Sequence, residues 1–426
     1  MSKSSDPGHF FQTTSSLEEG NRKAAKSYNT FGDPIKLPSK LLAIIPDPVN
    51  EHGIYVAESA GTVKRIDLST KEVTHTFVGP AAPVSCICIH VENAPEGTVL
   101  QTLFAGCWDK QIWLWDIPSA KADLSTIIKS DRRFQGHRDF VKALTVLSVP
   151  GQTTAVLVSG GAESEILFWD IKTGGRLHVL KGHTRGILDL KLDPSTVYAG
   201  APNATLYSAD SSREIRICSI PTSSPISTSS LKSVQLSPPL VIHETSVYSI
   251  HFDPTSSDLW TCSADKTAKH LSRRDSDGEY PVSPTSSSLE PSAIWLSPDT
   301  TLQHPDFVRS IVTHPTIPIV ATACRDENIR LWNPSTGKLI HIYEGHYEEV
   351  TGLCIRGKDI ISVSIDGTVR RWDVTSMGIE EYKKEKERLE KGESLNNSGV
   401  AGGGGDNLLT EEEERELAEL MAETED

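Results

Sequence analysis

Long apolar runs are missing from this chain. No stretch of its 426 residues approaches 18 uninterrupted apolar side chains, so no transmembrane helix is expected. The opening residues, "MSKSSDPGHFFQTTSSLEEG", lack the basic-then-apolar layout of a secretory signal, and none is expected. Cysteine is sparse: seven residues, odd in number and scattered, do not make a disulfide framework and fit a reducing compartment. Positive charge is short as well. The 42 Lys and Arg against 57 Asp and Glu leave a net charge of −15, which repels phosphate backbones and disfavours direct nucleic-acid binding. These shortages point to a soluble intracellular protein, in cytoplasm or nucleus, with no membrane partner.

Signals for bound chemistry are equally thin. Cys86 and Cys88 lie two apart on a predicted strand and share a face, but no second close pair completes a zinc site, so they read as core. The Gly-rich "AGGGGD" at 401–406 has no Gly-Lys-Ser/Thr after it and reads as a hinge, not a phosphate loop. No dinucleotide fingerprint and no isolated carboxylate pair is found. No metal, cofactor or small-molecule substrate is therefore expected.

What the chain does have is turns: 25 Pro and 30 Gly amid 37% hydrophobic residues suit short strands better than long helices. It also has repeats. "FAGCWDKQIWLWD", "VSGGAESEILFWD", "TCSADKTAKHLSR", "ATACRDENIRLWN" and "SVSIDGTVRRWD" each carry a small-residue strand, an acidic turn and a second strand. Ahead of several stand "QGHRDFV", "KGHTRGI", "EGHYEEV" and the weaker "IHETSV" and "QHPDFV", each with a β-branched residue four after its His. Trp115, Trp169, Trp332 and Trp372 end the second strands, with Cys218 and Leu271 in the same slot. The spacings of 54, 49, 53, 61 and 40 residues are close to the length of a four-stranded propeller blade.

These residues resemble the WD-repeat (WD40) family, whose fold is a closed β-propeller. Seven copies are counted over residues 36–374. The first is degenerate, "GIYVAESAGTVKRID", and the second has Gly79-Pro80 where Gly-His would stand. The expected fold is all-β: a seven-bladed propeller with Ser/Pro-rich loop insertions and an acidic, partly helical C-terminal tail. The resemblance implies a bonded chain of His, Ser or Thr, Asp and Trp in each complete blade. Two blades carry the whole set, His304, Thr322, Asp326 and Trp332 in one and His346, Ser362, Asp366 and Trp372 in the other. A third has His137, Ser159 and Trp169 with Glu163 in place of the Asp, whose longer arm puts that network in question. A fourth has His243, Thr261 and Asp265 with Leu271 in the Trp slot. His, hydroxyl and Asp together can activate a nucleophile. Yet the trio recurs at the repeat period and several copies drop a member, which fits a joint in each blade rather than one catalytic site. Trp108, in a blade turn, is expected to be exposed and is a candidate partner contact.

Segments outside the blades carry their own expectations. Residues 1–35 form an N-terminal segment, partly disordered, and "AAKSYNTFGDPI" at 24–35 is the expected donor of a closing strand for the last blade. Two Ser/Pro-rich inserts, Pro221 to Pro239 and Arg273 to Pro298, are expected to be mobile surface loops. Their Ser-Pro steps make Ser224, Ser237, Ser283 and Ser297 candidate phosphosites. The tail, residues 375–426, holds 16 acidic and 6 basic side chains. In it "EEYKKEKERLEKGE" reads as a charged helix. Beyond the hinge, Thr410 and Glu413 form a capping box before a short apolar stripe of Leu417, Leu420 and Met421. That end is either a frayed acidic terminus or a helix that folds on a partner.

The leading functional expectation is a non-catalytic scaffold or adaptor for protein–protein interaction in a multi-subunit intracellular complex. The alternative is an escort for a basic client, such as a ribosomal protein or histone, shielded by the acidic tail. A third reading, substrate receptor of a cullin-type ubiquitin ligase, is weakened by "WDIP", "WDIK" and "WDVT" where such receptors carry Trp-Asp-x-Arg.

Overall fold

The computed structural model describes residues 14–93, 99–118, 126–148, 155–198, 202–222, 226, 228–232, 234–273, 295 and 297–390. Ser224, Ser283, Thr410, Leu417, Leu420 and Met421 lie outside the described residues. No helix among the described residues is long and apolar enough to cross a membrane.

Short strands of alternating burial, cut by turn residues, form seven sheets, antiparallel but for one added parallel strand and consecutive in the chain but for that strand and the one that closes the ring. Blade one holds β2 (Leu41–Pro46), β3 (Gly53–Glu58), β4 (Val63–Asp67) and β5 (Glu72–Val78). Blade two holds β6 (Val84–Asn93), β7 (Val99–Cys107), β8 (Gln111–Ile117) and β10 (Arg133–Gln135). Between them β9 (Thr126–Lys129) joins blade one as a fifth strand, parallel to β5. Blade three is β11 (Val141–Ser148), β12 (Ala155–Gly161), β13 (Ile166–Asp170) and β14 (Arg176–Leu180). Blade four is β15 (Ile187–Leu192), β16 (Asn203–Asp210), β17 (Glu214–Pro221) and β18 (Leu240–Val241). Blade five is β19 (Val247–Phe252), β20 (Leu259–Ser263), β21 (Thr267–Leu271) and β22 (Thr300–Gln303). Blade six is β23 (Val308–Thr313), β24 (Val320–Cys324), β25 (Asn328–Trp332) and β26 (Leu339–Glu344). Blade seven is β27 (Val350–Arg356), β28 (Asp359–Ser364), β29 (Thr368–Asp373) and β1 (Ile35–Lys36). The molecule is a seven-bladed β-propeller.

The β-branched residue four after each His has a clear task. Val141, Ile187, Val247, Val308 and Val350 are fully buried and open the innermost strand of their blades. Immediately after each, the pairing with the second strand slips by one residue, a bulge repeated at Leu41 and Val84. Seven identical bulges add twist at the same point of each sheet, where the blades converge on the axis. The core lies between blades. Each described apolar cluster straddles two neighbours, as where Tyr55 and Phe77 of blade one meet Leu103 and Trp115 of blade two.

Ring closure differs from the expected register. The donor strand is two residues long, Ile35↔Val369 and Lys36↔Thr368, and lies at the end of the 24–35 segment and beyond it. Flanking bonds extend it: Leu37 N donates to Gly367 O at 2.8 Å and Arg371 N to Gly32 O at 2.7 Å. Gly32 sits at φ +69 with the Trp372 ring 2.8 Å from where a Cβ would stand, so only glycine meets both demands. Upstream, residues expected to be strand are helical, in α1 (Thr14–Ser27).

The first Ser/Pro-rich insert is a correction. Instead of a mobile loop, residues after Pro221 pack onto blades three and four: Ile226, Leu231 and Val234 are buried there, with Leu231 in the short helix α3 (Thr228–Leu231) that follows α2 (Pro194–Tyr198). The apolar residues scattered among the serines were enough to make a plug. In the second insert Trp295 is 2% exposed and packs on Tyr207 and Phe252. The charged stretch near residue 380 falls in the helix α4 (Ser376–Glu390), where Lys383 pairs with Glu380 at 2.8 Å.

Candidate functional site

Antiparallel order places two kinds of connection at one end of every blade. These are the turn between the second and third strands and the loop entering the next blade; this end is called the top. The His and acid residues of the repeats sit there. In blade seven His346 Nδ1 donates to Asp366 at 2.8 Å, Ser362 Oγ lies 2.8 Å from His346 Nε2, and Trp372 Nε1 donates to the same Oγ at 2.9 Å. Burial, opposed by Asp366, holds His346 below its ordinary pKa, so the neutral ring accepts from the Ser362 hydroxyl. The Gly345 backbone runs against the Trp372 ring, 2.7 Å from where a Cβ would stand, which explains the Gly before the His.

Blade three brings His137, Ser159, Glu163 and Trp169 together. Ser159 Oγ is 2.7 Å from His137 Nε2 and accepts from Trp169 Nε1 at 2.8 Å, and His137 Nδ1 bonds the Glu163 carboxylate. The longer arm of Glu163 is used, not wasted, since its second oxygen accepts from Arg138 N at 3.0 Å. Burial pushes the Glu163 carboxyl up, but the His137 and Arg138 bonds outweigh it and hold the group below the usual range. Blade five joins His243 to Thr261 and Asp265, both at 2.8 Å, with Leu271 buried where an indole would donate.

Blade six departs from the expected set. His304 Nε2 meets Thr322 Oγ1 at 2.8 Å and Trp332 Nε1 donates to that oxygen at 2.9 Å, but Asp326 does not reach the ring. His304 Nδ1 donates instead to Leu302 O at 3.2 Å, while Asp326 is taken by Arg330. Burial first, and the Arg330 charge second, push His304 down to about 4.

Sequence reasoning missed one network altogether. In blade four His183 bonds Ser208 at 2.7 Å and Asp210 at 3.1 Å. Its acid stands two residues after the hydroxyl instead of four, ending β16, so the period did not reveal it. His183, Asp210 and Glu214 form a group whose side chains approach within metal-ligand range. The Asp210 Oδ1 atom already accepts from Ser212 N, Ser212 Oγ, Arg213 N and Glu214 N.

None of these hydroxyls is placed for chemistry. Ser159, Thr261, Thr322 and Ser362 have no exposed surface, and in three of the four blades an indole N–H occupies the oxygen. The networks are joints that satisfy buried polar groups. Cys86 and Cys88 are free thiols within an apolar cluster, and burial pushes Cys86 up to about 12.

The surface of the top end is more informative. Trp108, in the β7–β8 turn, is 41% exposed and stacks on Phe140, itself 37% exposed, with ring centroids 5.1 Å apart and planes 13° apart. Phe140 was not picked out in the sequence; a stacked partner from the next blade leaves no periodic signal. Helix α1 also reaches this end, through Arg22 and Lys26 on Glu327 and Lys23 on Glu348. Along the axis, a channel of about 560 Å³ is lined by innermost strands, including Asp189, Tyr248, His251 and Arg309. Burial pushes His251 down to about 4, and it accepts from Thr313 N at 3.1 Å. Of the candidate phosphosites, Ser297 is exposed, whereas Ser237 is buried. Ser237 Oγ accepts from Ile217 N at 2.9 Å and donates to Pro238 O at 2.8 Å, so the folded chain does not offer it to a kinase.

A closed ring of seven blades, six of four strands and one of five, pinned by repeated His–hydroxyl–acid joints, defines a repeat-built propeller protein. A family model described as "WD domain, G-beta repeat" matches residues 71–116, 296–333 and 337–373. An uncharacterised WD repeat-containing protein of Schizosaccharomyces pombe is 30% identical over 380 residues, covering 87% of this chain and 90% of that one. Nuclear distribution protein nudF of Aspergillus niger is 26% identical over 336 residues, 77% of this chain and 58% of nudF. Striatin-4 of Mus musculus is 26% identical over 303 residues, 62% of this chain and 33% of its own length. The chain belongs to the WD-repeat (WD40) family, whose propellers are generally non-catalytic.

Proposed function

We propose that this protein is a non-catalytic scaffold that holds other proteins on the top end of its propeller, within a multi-subunit intracellular complex. The observation that carries this reading is the Trp108–Phe140 pair. Two large aromatic side chains stay substantially exposed, stacked across two blades, on a ring whose other large rings are mostly buried. Exposed aromatics on a rigid frame are the residue types that dominate protein interfaces, because little side-chain entropy is lost on binding. The buried, indole-capped hydroxyls support a structural rather than a catalytic use of the His–hydroxyl–acid sets. An intracellular setting is supported by seven free thiols, five of them buried.

A second reading, escort of a basic client, is favoured by one feature: the excess of acid from Thr375 onward. Affinity purification from native cells, comparing the full chain with a truncation ending at Gly405, separates the two. A stable set of subunits that survives truncation supports the propeller scaffold. A single basic client lost with the tail supports the escort and counts against the scaffold.

A further inference from the structure

Helix α1 is held to the propeller top by charge. Arg22 donates to both oxygens of Glu327, at 2.6 and 2.7 Å, and Lys26 adds a third bond to the same carboxylate at 2.8 Å. One helical position on from Arg22, Lys23 reaches Glu348 on the loop into blade seven at 2.9 Å. Among the described residues of α1 no side chain is buried, and Leu17 is 50% exposed. An amphipathic helix that docks permanently buries an apolar stripe. This one does not.

The acceptor side is more deliberate than the helix it holds. Glu327 is 6% exposed and stands at φ 74, in the left-handed region that L side chains rarely adopt. The equivalent turn position, next after the acid, is Lys110 in blade two, Lys266 in blade five and Gly367 in blade seven, all at positive φ. Only blade six puts a carboxylate there, where Gly would sit without strain. The site therefore offers one enclosed and one partly exposed carboxylate, spaced for cations at positions i, i+1 and i+4 of a helix.

We propose that Glu327 and Glu348 form a docking site for a cationic helix of a protein partner, and that α1 is its built-in competitor. The proposal deepens the scaffold reading and rests on it for the partner's existence. Glu327 is enclosed, but the Arg22, Lys23 and Lys26 side chains and Glu348 remain partly exposed, so these contacts are screened by salt and a competitor can exchange with α1. Its advantage is the tether. Asn29, two residues beyond the helix, donates to Gly345 O at 2.8 Å and accepts from Arg370 at 2.7 Å. A short tether gives an effective concentration of about 1 mM; with an intrinsic Kd of about 0.1 mM for untethered α1, it weakens any competitor roughly tenfold. A partner helix that adds apolar contacts overcomes this; one with charges alone does not.

The test uses the full chain and a labelled synthetic peptide of residues 14–27. In the variant Arg22→Glu, Lys23→Glu, Lys26→Glu the chain's own helix is repelled from the site. The peptide is expected to bind this variant at least about tenfold more tightly than the unmodified chain at about 0.05 M salt. Adding Glu327→Gln and Glu348→Gln should abolish that binding. Equal binding to variant and unmodified chain, or no binding to the variant, overturns the proposal. Hydrogen exchange supplies a second measurement: the three reversals should speed exchange of the α1 amides, and unchanged protection would equally overturn it. Because the probe comes from this chain, failure here leaves the scaffold reading standing, and loss of that reading leaves this result intact.

Discussion

Arg330 grips both carboxylate oxygens of Asp326, at 3.1 and 2.5 Å, and so removes that acid from His304. Blade seven has an arginine at the same position, Arg370, yet its Asp366 stays on His346. The difference lies in what else each arginine can reach. Arg370 bonds instead Asn29 and the Phe31 carbonyl on the closing segment, whose strand β1 pairs with β29 of blade seven.

This competition gives a titration prediction. Arg330→Met removes a cation beside His304 and frees Asp326 to accept from its Nδ1. The His304 pKa, about 4, should rise by roughly one unit, still held down by burial. Imidazole NMR across the acid range reads this directly, and an unmoved value would show that Asp326 cannot reach the ring.

The joints themselves should differ in worth. Ser362→Ala leaves two buried partners, Trp372 Nε1 and His346 Nε2, without their bonds, and about 2–4 kcal/mol of stability should be lost. Ser208→Ala strands only His183 among such partners, because Cys218 fills the indole slot, and should cost about half as much. Denaturant unfolding of both variants gives the comparison. Equal losses would mean that the indole bond contributes nothing.

Closure can be separated from docking by two truncations. Removing residues 1–27 deletes α1 but keeps Gly32, Ile35 and Lys36 on blade seven, and the melting temperature should change by only a few degrees. Removing residues 1–40 opens the edge of β29 and should unfold or aggregate the protein. A 1–40 deletion that melts like the full chain would refute the two-residue closing strand.

Acid should begin to weaken the fold above the usual carboxylate range. His304 is buried and His251 half-buried, and desolvation holds both at pKa values of about 4, below the ordinary 6.5 of the unfolded chain. Between those values the unfolded state binds more protons, so stability falls as pH falls, by about 1.4 kcal/mol per pH unit for each histidine. His251→Gln keeps an acceptor for Thr313 N and should flatten the slope by that amount. Urea midpoints from pH 7 to 4 check it, and an unchanged slope would mean that His251 titrates alike folded and unfolded.

The fold was legible because the repeat writes its period into the chain: small strand, acid, strand, Trp, and a β-branched residue four after each His. The legible joints were those with standard spacing. What escaped was set by neighbours that no period encodes. Asp210 serves its histidine from two residues after Ser208, Arg330 captures Asp326, and Phe140 meets Trp108 only because two blades adjoin. The serine-rich insert misled because composition outweighed its few apolar residues, although Ile226, Leu231 and Val234 together close a cluster. Residues 24–27, the last turn of α1, were read as part of a closing strand because the open edge of the last blade demanded one, and the demand is met further on by Ile35 and Lys36.

A protein-binding platform at the propeller top would be centred on Trp108 and Phe140. Its most direct test compares the full chain with Trp108→Ser, Phe140→Ser in quantitative affinity purification from native cells, after thermal melts show that both fold alike. A defined set of copurifying proteins that falls at least about tenfold with the double variant is the predicted result. An undiminished set would contradict the account and move the binding surface elsewhere on the molecule.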